Sequence, residues 1–273
     1  MKYSVKKPGE LKKFLSLEAG ISGKQAKKII DTRRVFVNGR RVWMASHMLS
    51  PGDVVEAAGA GGSKERGSAV IIYEDEYVVA ADKPSHMLSD GGEESLEHFL
   101  RKNTRNRALR AAHRIDAETS GIVLYAKNGG VFDALKKMWK EKRVKKTYIA
   151  LAYAKASFDK KTVSAPIGGK PAVSAVKTLK AVKGLSMFEV EIETGRRHQI
   201  RIHLAGIGHP VIGDSLYGPA AAGTGVHGGV KRQMLHAARL EYVCPFTKKS
   251  VIIKSELPGD FKLHAGLLDK EQK

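Results

Sequence analysis

A single cysteine, Cys244, stands in 273 residues. That excludes a disulfide framework and a cysteine-based zinc site, and Cys244 reads as a small core residue at a strand end. Long apolar runs are missing too. The longest, Tyr148 to Ala154, falls far short of the roughly 20 residues that span a bilayer. The basic start, Met1 to Glu10, has no apolar stretch behind it, so no signal peptide is expected. The nucleotide signature GxxxxGKS/T and the metalloprotease signature HExxH are absent, and His198 and His203 are badly spaced for two ligands on one helix face. Acidic residues are scarce, 28 against 48 Lys+Arg, which leaves a formal net charge of +20.

What is present reads as a globular chain, with 42% hydrophobic residues and enough length for one or two domains. Its charge is segregated. Residues 1–50 carry a balance of +9, residues 51–100 of −8 and residues 101–150 of +10. Two basic blocks thus account for nearly the whole excess, the footprint of a polyanion binder and above all of a nucleic-acid binder. No long basic amphipathic helix with an aromatic face stands out, which argues against a membrane surface.

The first block has a legible order. Leu11, Phe14 and Leu15 follow helical spacing up to Gly20, and Ser22 with Gln25 forms a capping box for a second helix through Ile30. Val35–Val37 and Val42-Trp43 flank Asn38-Gly39, a strong hairpin signal. The run Ala57 to Ala69 is rich in Gly, Ala and Ser and reads as a linker.

From Val70 short strands take over, at 70–73, 77–81, 122–126, 148–153, 172–180, 187–193, 235–242 and 251–255, with helices expected at 95–102, 130–142 and 197–205. Strands that outnumber helices without βαβ alternation predict an α+β domain on a largely antiparallel, mixed sheet. Two segments are dense in polar residues. His113-Arg114-Ile115-Asp116-Ala117-Glu118-Thr119-Ser120-Gly121 runs into an apolar strand. It reads equally as a loop presenting functional groups and as an ordinary turn with local side-chain bonds. Thr194 to His203 carries three arginines where a strand gives way to a helix. On that helix Arg197 and Arg201 would share a face, either as an anion site or as a solvated basic surface.

Together these pieces resemble the RluA-like pseudouridine synthases. The matching runs are KP at 83–84, HRIDAETSG at 113–121, KTYIAL at 146–151, KPAVSAVKTL at 170–179, TGRRHQIRIHLAGIGHPVIGDSLYG at 194–218 and LHAARLEY at 235–242, all in the family's order. Ile115 and Arg197 stand where that family more often has leucine and threonine, and the residues around His86 replace its usual small ones. The first block, GISGKQAKKIIDTRRVFVNGRRV followed by LSPGDVV, is similar to an S4-like RNA-binding domain, with Arg33-Arg34 where a glycine is usual.

The resemblance implies an S4-like domain over residues 1–56, a linker at 57–69, a catalytic domain at 70–265 and a tail at 266–273. It implies an isomerase that turns uridine into pseudouridine in RNA, without metal or cofactor, as a cytoplasmic monomer. Large-subunit rRNA is the expected substrate and tRNA the alternative. Asp116 is the implied catalytic carboxylate, acting as nucleophile at carbon 1′ or as base at carbon 2′. Arg201 is its implied ion-pair partner, and Tyr148 the ring that stacks on the base and helps take the proton from carbon 5. Arg114 would enter the space left by a flipped base. His113, Arg196 and Arg197, with Lys24, Lys27, Lys28, Arg33, Arg34, Arg40 and Arg41 of the first block, would hold RNA.

Overall fold

A computed structural model describes residues 2–31, 35–57, 70–219, 230 and 232–270, with the backbone alone at 28, 40, 41 and 270. The chain divides into two compact units, residues 1–66 and 67–273.

The first unit runs β1 (Lys2–Ser4), β2 (Gly9–Glu10), α1 (Leu11–Glu18), α2 (Gly23–Asp31), β3 (Val35–Val37), β4 (Arg40–Val42), β5 (Met48–Leu49) and β6 (Val54–Ala57). Four strands pair in the order β1-β6-β3-β4, and β2 pairs with β5. Leu11 and Leu15 of α1 and Ala26 and Ile30 of α2 meet Val35 and Val55 in one core. The expected capping box forms, Ser22 N–H donating to Gln25 Oε1 at 2.9 Å and Gln25 N–H to Ser22 Oγ at 3.2 Å. Asn38 and Gly39 both take positive φ, 51° and 74°, the pair a type I′ turn requires. Ala57 belongs to β6 and is buried, so the strand runs one residue into the expected linker. Residues 58–69 lie outside the described residues.

The second unit continues with β7 (Val70–Glu74), β8 (Val78–Lys83), α3 (Leu96–Asn103), β9 (Arg110–Ala111), β10 (Ser120–Ala126), α4 (Gly129–Lys140), β11 (Val144–Tyr153), β12 (Lys160–Val163), β13 (Ser174–Val182), β14 (Leu185–Ile192), α5 (Gln199–Gly206), β15 (Leu235–Val243), β16 (Ser250–Lys254), α6 (Gly259–Ala265) and α7 (Leu267–Lys270). The sheet order is β12-β13-β14-β11-β15-β10-β8-β7, with β16 on β15 and β9 on β10. Within this sheet all described strand pairings are antiparallel except β10 with β15, so the expected α+β, largely antiparallel mixed sheet is present. Helices α3 and α4 are capped by Ser95 and Asn128, whose side chains accept from His98 N–H and Val131 N–H.

Several boundaries shift by a residue or two, and three differences matter more. Strand β11 begins at Val144, not Tyr148, because Lys146 and Thr147 are buried despite their polarity. Helix α5 begins at Gln199, so Arg197 lies in the preceding turn and does not share a helix face with Arg201. Residues 267–270, expected in a tail, form α7, and Leu268 packs with Leu151, Val182 and Phe261.

The parallel pair joins the two halves of the sheet at a single close approach. Gly121 opposes Ala237, and Ala237 opposes Tyr148 on its other side. A Cβ at Gly121, whose φ is +110°, would fall 2.3 Å from the Ala237 carbonyl oxygen. Only glycine lets β10 come that near, and this sets the loop before Gly121 over the strand that carries Tyr148.

Candidate active site

Asp116 sits in the loop between β9 and β10, its side chain 31% exposed. One oxygen, Oδ2, accepts from Arg201 Nη1 at 3.0 Å. Arg201 is 1% exposed and sends its other donors to Asp214, Nε to Oδ2 at 2.6 Å and Nη2 to Oδ1 at 2.7 Å. Asp214 Oδ1 also accepts from the N–H groups of Leu216 and Tyr217. Burial works to raise the Asp214 pKa, but the bonds and charge of Arg201 with these two N–H groups outweigh it, and the group lies below the usual carboxylate value. One guanidinium thus spans two carboxylates, a fork geometry that lysine lacks.

Neighbouring groups close a ring around Asp116. His198, at the N-cap of α5, takes a left-handed φ of 58°, a conformation that costs a residue with a Cβ about 1 kcal/mol or more. Its Nδ1 lies 3.1 Å from the Tyr217 hydroxyl and its Nε2 3.9 Å from Asp116 Oδ2. The Tyr217 ring in turn lies 5.1 Å from the Arg201 guanidinium carbon. Tyr148 is buried, and burial, with the Asp116 charge adding to it, pushes its hydroxyl well above the ordinary range.

Buried polar bonds hold these pieces in place. Lys83 is fully buried and donates to the carbonyls of Pro84, Met87 and Ala117 at 2.8–2.9 Å, tying the end of β8 to the Asp116 loop. Burial, assisted by Arg232, pulls its ammonium down to about 7 against the opposing charges of Asp116, Asp82 and Glu118. Gln233 donates to Thr119 Oγ1 at 2.6 Å, and Ser120 Oγ meets His236 Nδ1 at 3.0 Å. Gln199 fixes the start of α5, accepting from Thr194 Oγ1 and Arg196 N–H and donating to the Val173 carbonyl.

Asp116, Tyr148 and Arg201 are therefore brought together, with Arg114 exposed beside them. His113 stands differently from expectation. Its Nε2 accepts from Leu124 N–H at 3.1 Å, its ring stacks on Trp139 at 5.0 Å, and burial pushes its pKa down to about 3. An uncharged ring held this way braces β10 and is not a cation for phosphate. Arg196 and Arg197 are exposed, Arg196 with its Nε on the Pro171 carbonyl. Lys24 and Lys27 are exposed on α2, Lys27 paired with Asp31 at 2.5 Å. Lys28, Arg40 and Arg41 lie in α2 and β4, and their backbone alone is described. Arg33 and Arg34 lie outside the described residues. Sequence reasoning assigns no role to Asp214, His198, Tyr217, Gln199 or Lys83, although all fall within the quoted runs.

The RNA pseudouridylate synthase family matches residues 77–206, and the S4 domain matches residues 11–55. YhcT of Bacillus subtilis (strain 168), an RNA pseudouridine synthase that is itself uncharacterized, is 33% identical over 237 residues, covering 77% of this chain and 76% of its own. Ribosomal large subunit pseudouridine synthase C of Vibrio vulnificus (strain CMCP6) is 31% identical over 263 residues, covering 84% and 83%. Among solved structures, human RNA pseudouridylate synthase domain containing 1 superposes with a TM-score of 0.61 at 26% identity, covering 71% of this chain and 87% of that one. These likenesses define an isomerase that acts on RNA. The chain belongs to the RNA pseudouridine synthase family and carries an S4 domain ahead of its catalytic unit.

Proposed function

We propose that the enzyme isomerises uridines of large-subunit ribosomal RNA in the cytoplasm, with Asp116 as the catalytic carboxylate. The observation that carries this reading is the Asp116–Arg201–Asp214 chain, with Asp116 still partly open to solvent while Arg201 and Asp214 are not. Such a chain aims Asp116 and sets a cation against one of its oxygens, the placement that nucleophilic attack at carbon 1′ or proton removal at carbon 2′ would use. The glycosidic bond then breaks, the uracil turns and reattaches through carbon 5, and the proton lost from carbon 5 is balanced by one taken up at nitrogen 1.

Tyr148 would lie against the uracil. The upward push on its hydroxyl keeps the phenol neutral, which supports a stacking role and argues against the proton-acceptor role at carbon 5. A stacked uridine reaches such a site only by flipping, at a cost of a few kcal/mol, and Arg114, exposed two residues before Asp116, would fill the space it leaves. The relative named ribosomal large subunit pseudouridine synthase C supports the rRNA substrate. Mapping pseudouridines in total RNA from cells with and without the gene tests the reading. A site in large-subunit rRNA that vanishes with the gene is expected. A loss confined to tRNA would replace rRNA by tRNA, and no loss would overturn the assignment.

A further inference from the structure

Four lysine or arginine side chains are buried among the described residues: Lys83, Lys146, Arg201 and Arg232. Three have their charge answered. Lys83 meets three carbonyls, Arg201 two carboxylates, and Arg232 the carboxylate of Asp260 at 2.5 and 2.9 Å. Lys146 is 7% exposed and has no hydrogen bond or ion pair among the described residues.

Its surroundings are apolar by construction of the sheet. On β11 it lies two residues from Val144 and two from Tyr148, and alternate residues of a strand share a face. Val144 packs with Leu240 and Tyr242 in one core cluster, and Tyr148 with Val190, Ile192 and Ala237 in another. Lys146 is paired with Leu240 on one side and Ile192 on the other, so it occupies the seam between the clusters. Burial pulls its ammonium down to about 8 with no opposing carboxylate to hold it up. The other charges near this seam do not answer it, since His113 is kept neutral and the Lys136 that also acts on His113 is a cation.

A lysine that serves only packing would be better replaced by an apolar side chain, and the Lys146 ammonium is not among the fully buried side-chain atoms that lack a partner, so it keeps a narrow contact with solvent. An unpaired, largely desolvated cation two residues from Tyr148, and near enough to act on His113, fits another role. Resting on the reading of the site given above, we propose that Lys146 is a phosphate-binding residue. It takes a backbone phosphate of the RNA next to the uridine being isomerised. Phosphates are the anions that an RNA backbone carries, and the small part of Lys146 still open to solvent gives one access. An ammonium suits this use as a compact point charge.

The test compares wild type, Lys146→Met and Lys146→Arg in binding to in vitro transcribed large-subunit rRNA across a salt series, with each protein also melted alone. Methionine fits the apolar seam, so its melting temperature should match or exceed that of wild type. Its affinity should fall about tenfold, and its slope of log affinity against log salt should be shallower by roughly 0.7–0.9, one phosphate's worth. Lys146→Arg should keep the slope, which separates charge from misfolding. Phosphate ethylation adds position: an ethyl group on a phosphate flanking the modified uridine should block wild type and leave Lys146→Met indifferent. Equal slopes and equal interference for wild type and Lys146→Met would overturn the proposal even while wild type converts the transcript. Absence of any conversion by wild type would instead count against the functional reading, and the salt slope would still judge Lys146.

Discussion

In the S4 unit, Lys24 and Lys27 stand at the surface of α2, and the ion pair of Lys27 with Asp31 is about half exposed on both sides. In the catalytic unit, Arg201 and Arg232 are stripped of water and met by carboxylates at 2.5–3.0 Å. The same formal charge does different work in the two places. Exposed pairs contribute about 0–1 kcal/mol and are screened over roughly 10 Å at moderate salt. Such charges attract RNA in a salt-dependent way without fixing its atoms. A buried fork is hardly screened, and removing one partner leaves a charge without water or counterion. It fixes geometry and does little for long-range attraction. Changes in the catalytic unit should therefore move turnover and folding, and changes in the S4 unit should move affinity and its salt dependence.

The sharpest break in this comparison is Asp116→Asn. Asparagine keeps the shape and loses the charge, so pseudouridine formation should disappear while RNA affinity stays near wild type. Turnover within about tenfold of wild type, an effect of only about 1.4 kcal/mol, would remove Asp116 from its role.

Arg201→Ala comes next, because it strips the cation from Asp116 and from buried Asp214 together. Breaking a buried pair costs about 3–5 kcal/mol, so both the melting temperature and turnover should fall. Arg201→Lys should recover only part of each, since one ammonium cannot reproduce three directed bonds to two carboxylates. A fully active lysine variant would show that the fork is not needed.

A smaller effect follows from two histidines that the catalytic unit keeps neutral. Burial drives His113 to about 3 and His236 to about 4, from an ordinary 6.5. Between pH 6.5 and those values the unfolded chain binds the extra protons, so stability falls as pH falls through that window. Melting temperature should decline from pH 6.5 to about 5, where the loss is read before most carboxylates titrate. His113→Gln keeps an acceptor for Leu124 N–H and should flatten part of that decline. An unchanged slope in that variant would mean His113 is not the group responsible.

Much of this is legible in the sequence, for physical reasons that can be named. The Ser22–Gln25 cap and the Asn38-Gly39 turn are local, and local chemistry decides them. The apolar runs of β10 and β15 mark the strands, and the quoted family runs mark Asp116, Tyr148 and Arg201. Asp214 escapes notice as a partner because its fork with Arg201 is made by a turn 13 residues away, and nothing in the spacing of Gly213-Asp214 marks an acceptor. The burial of Lys146 and the start of β11 are hidden by polarity, since Lys145-Lys146-Thr147 reads as a surface run. His113 looks like an RNA-binding residue beside Arg114, and only tertiary packing against Trp139 and Leu124 N–H shows its bracing role. The parallel pairing of β10 with β15 depends on two distant strands meeting at Gly121, which no periodicity announces.

The smallest expected effect tests the comparison from the other side. A protein beginning near Ser68 lacks the S4 unit and keeps every residue of the proposed site, and the two units form separate compact bodies with their own cores. It should fold and still make pseudouridine in a short RNA that contains the target. Its affinity for long structured RNA should fall, and the salt slope should become shallower by roughly 0.7–0.9 for each phosphate no longer neutralised. Binding should not vanish, because residues 101–150 retain a balance of +10. Turnover on the short RNA should stay near that of the full chain, since the buried forks are untouched. Salt titrations on both proteins decide it. Equal slopes would mean that the exposed lysines of α2 do not meet RNA, and the division between attraction in one unit and geometry in the other would fail.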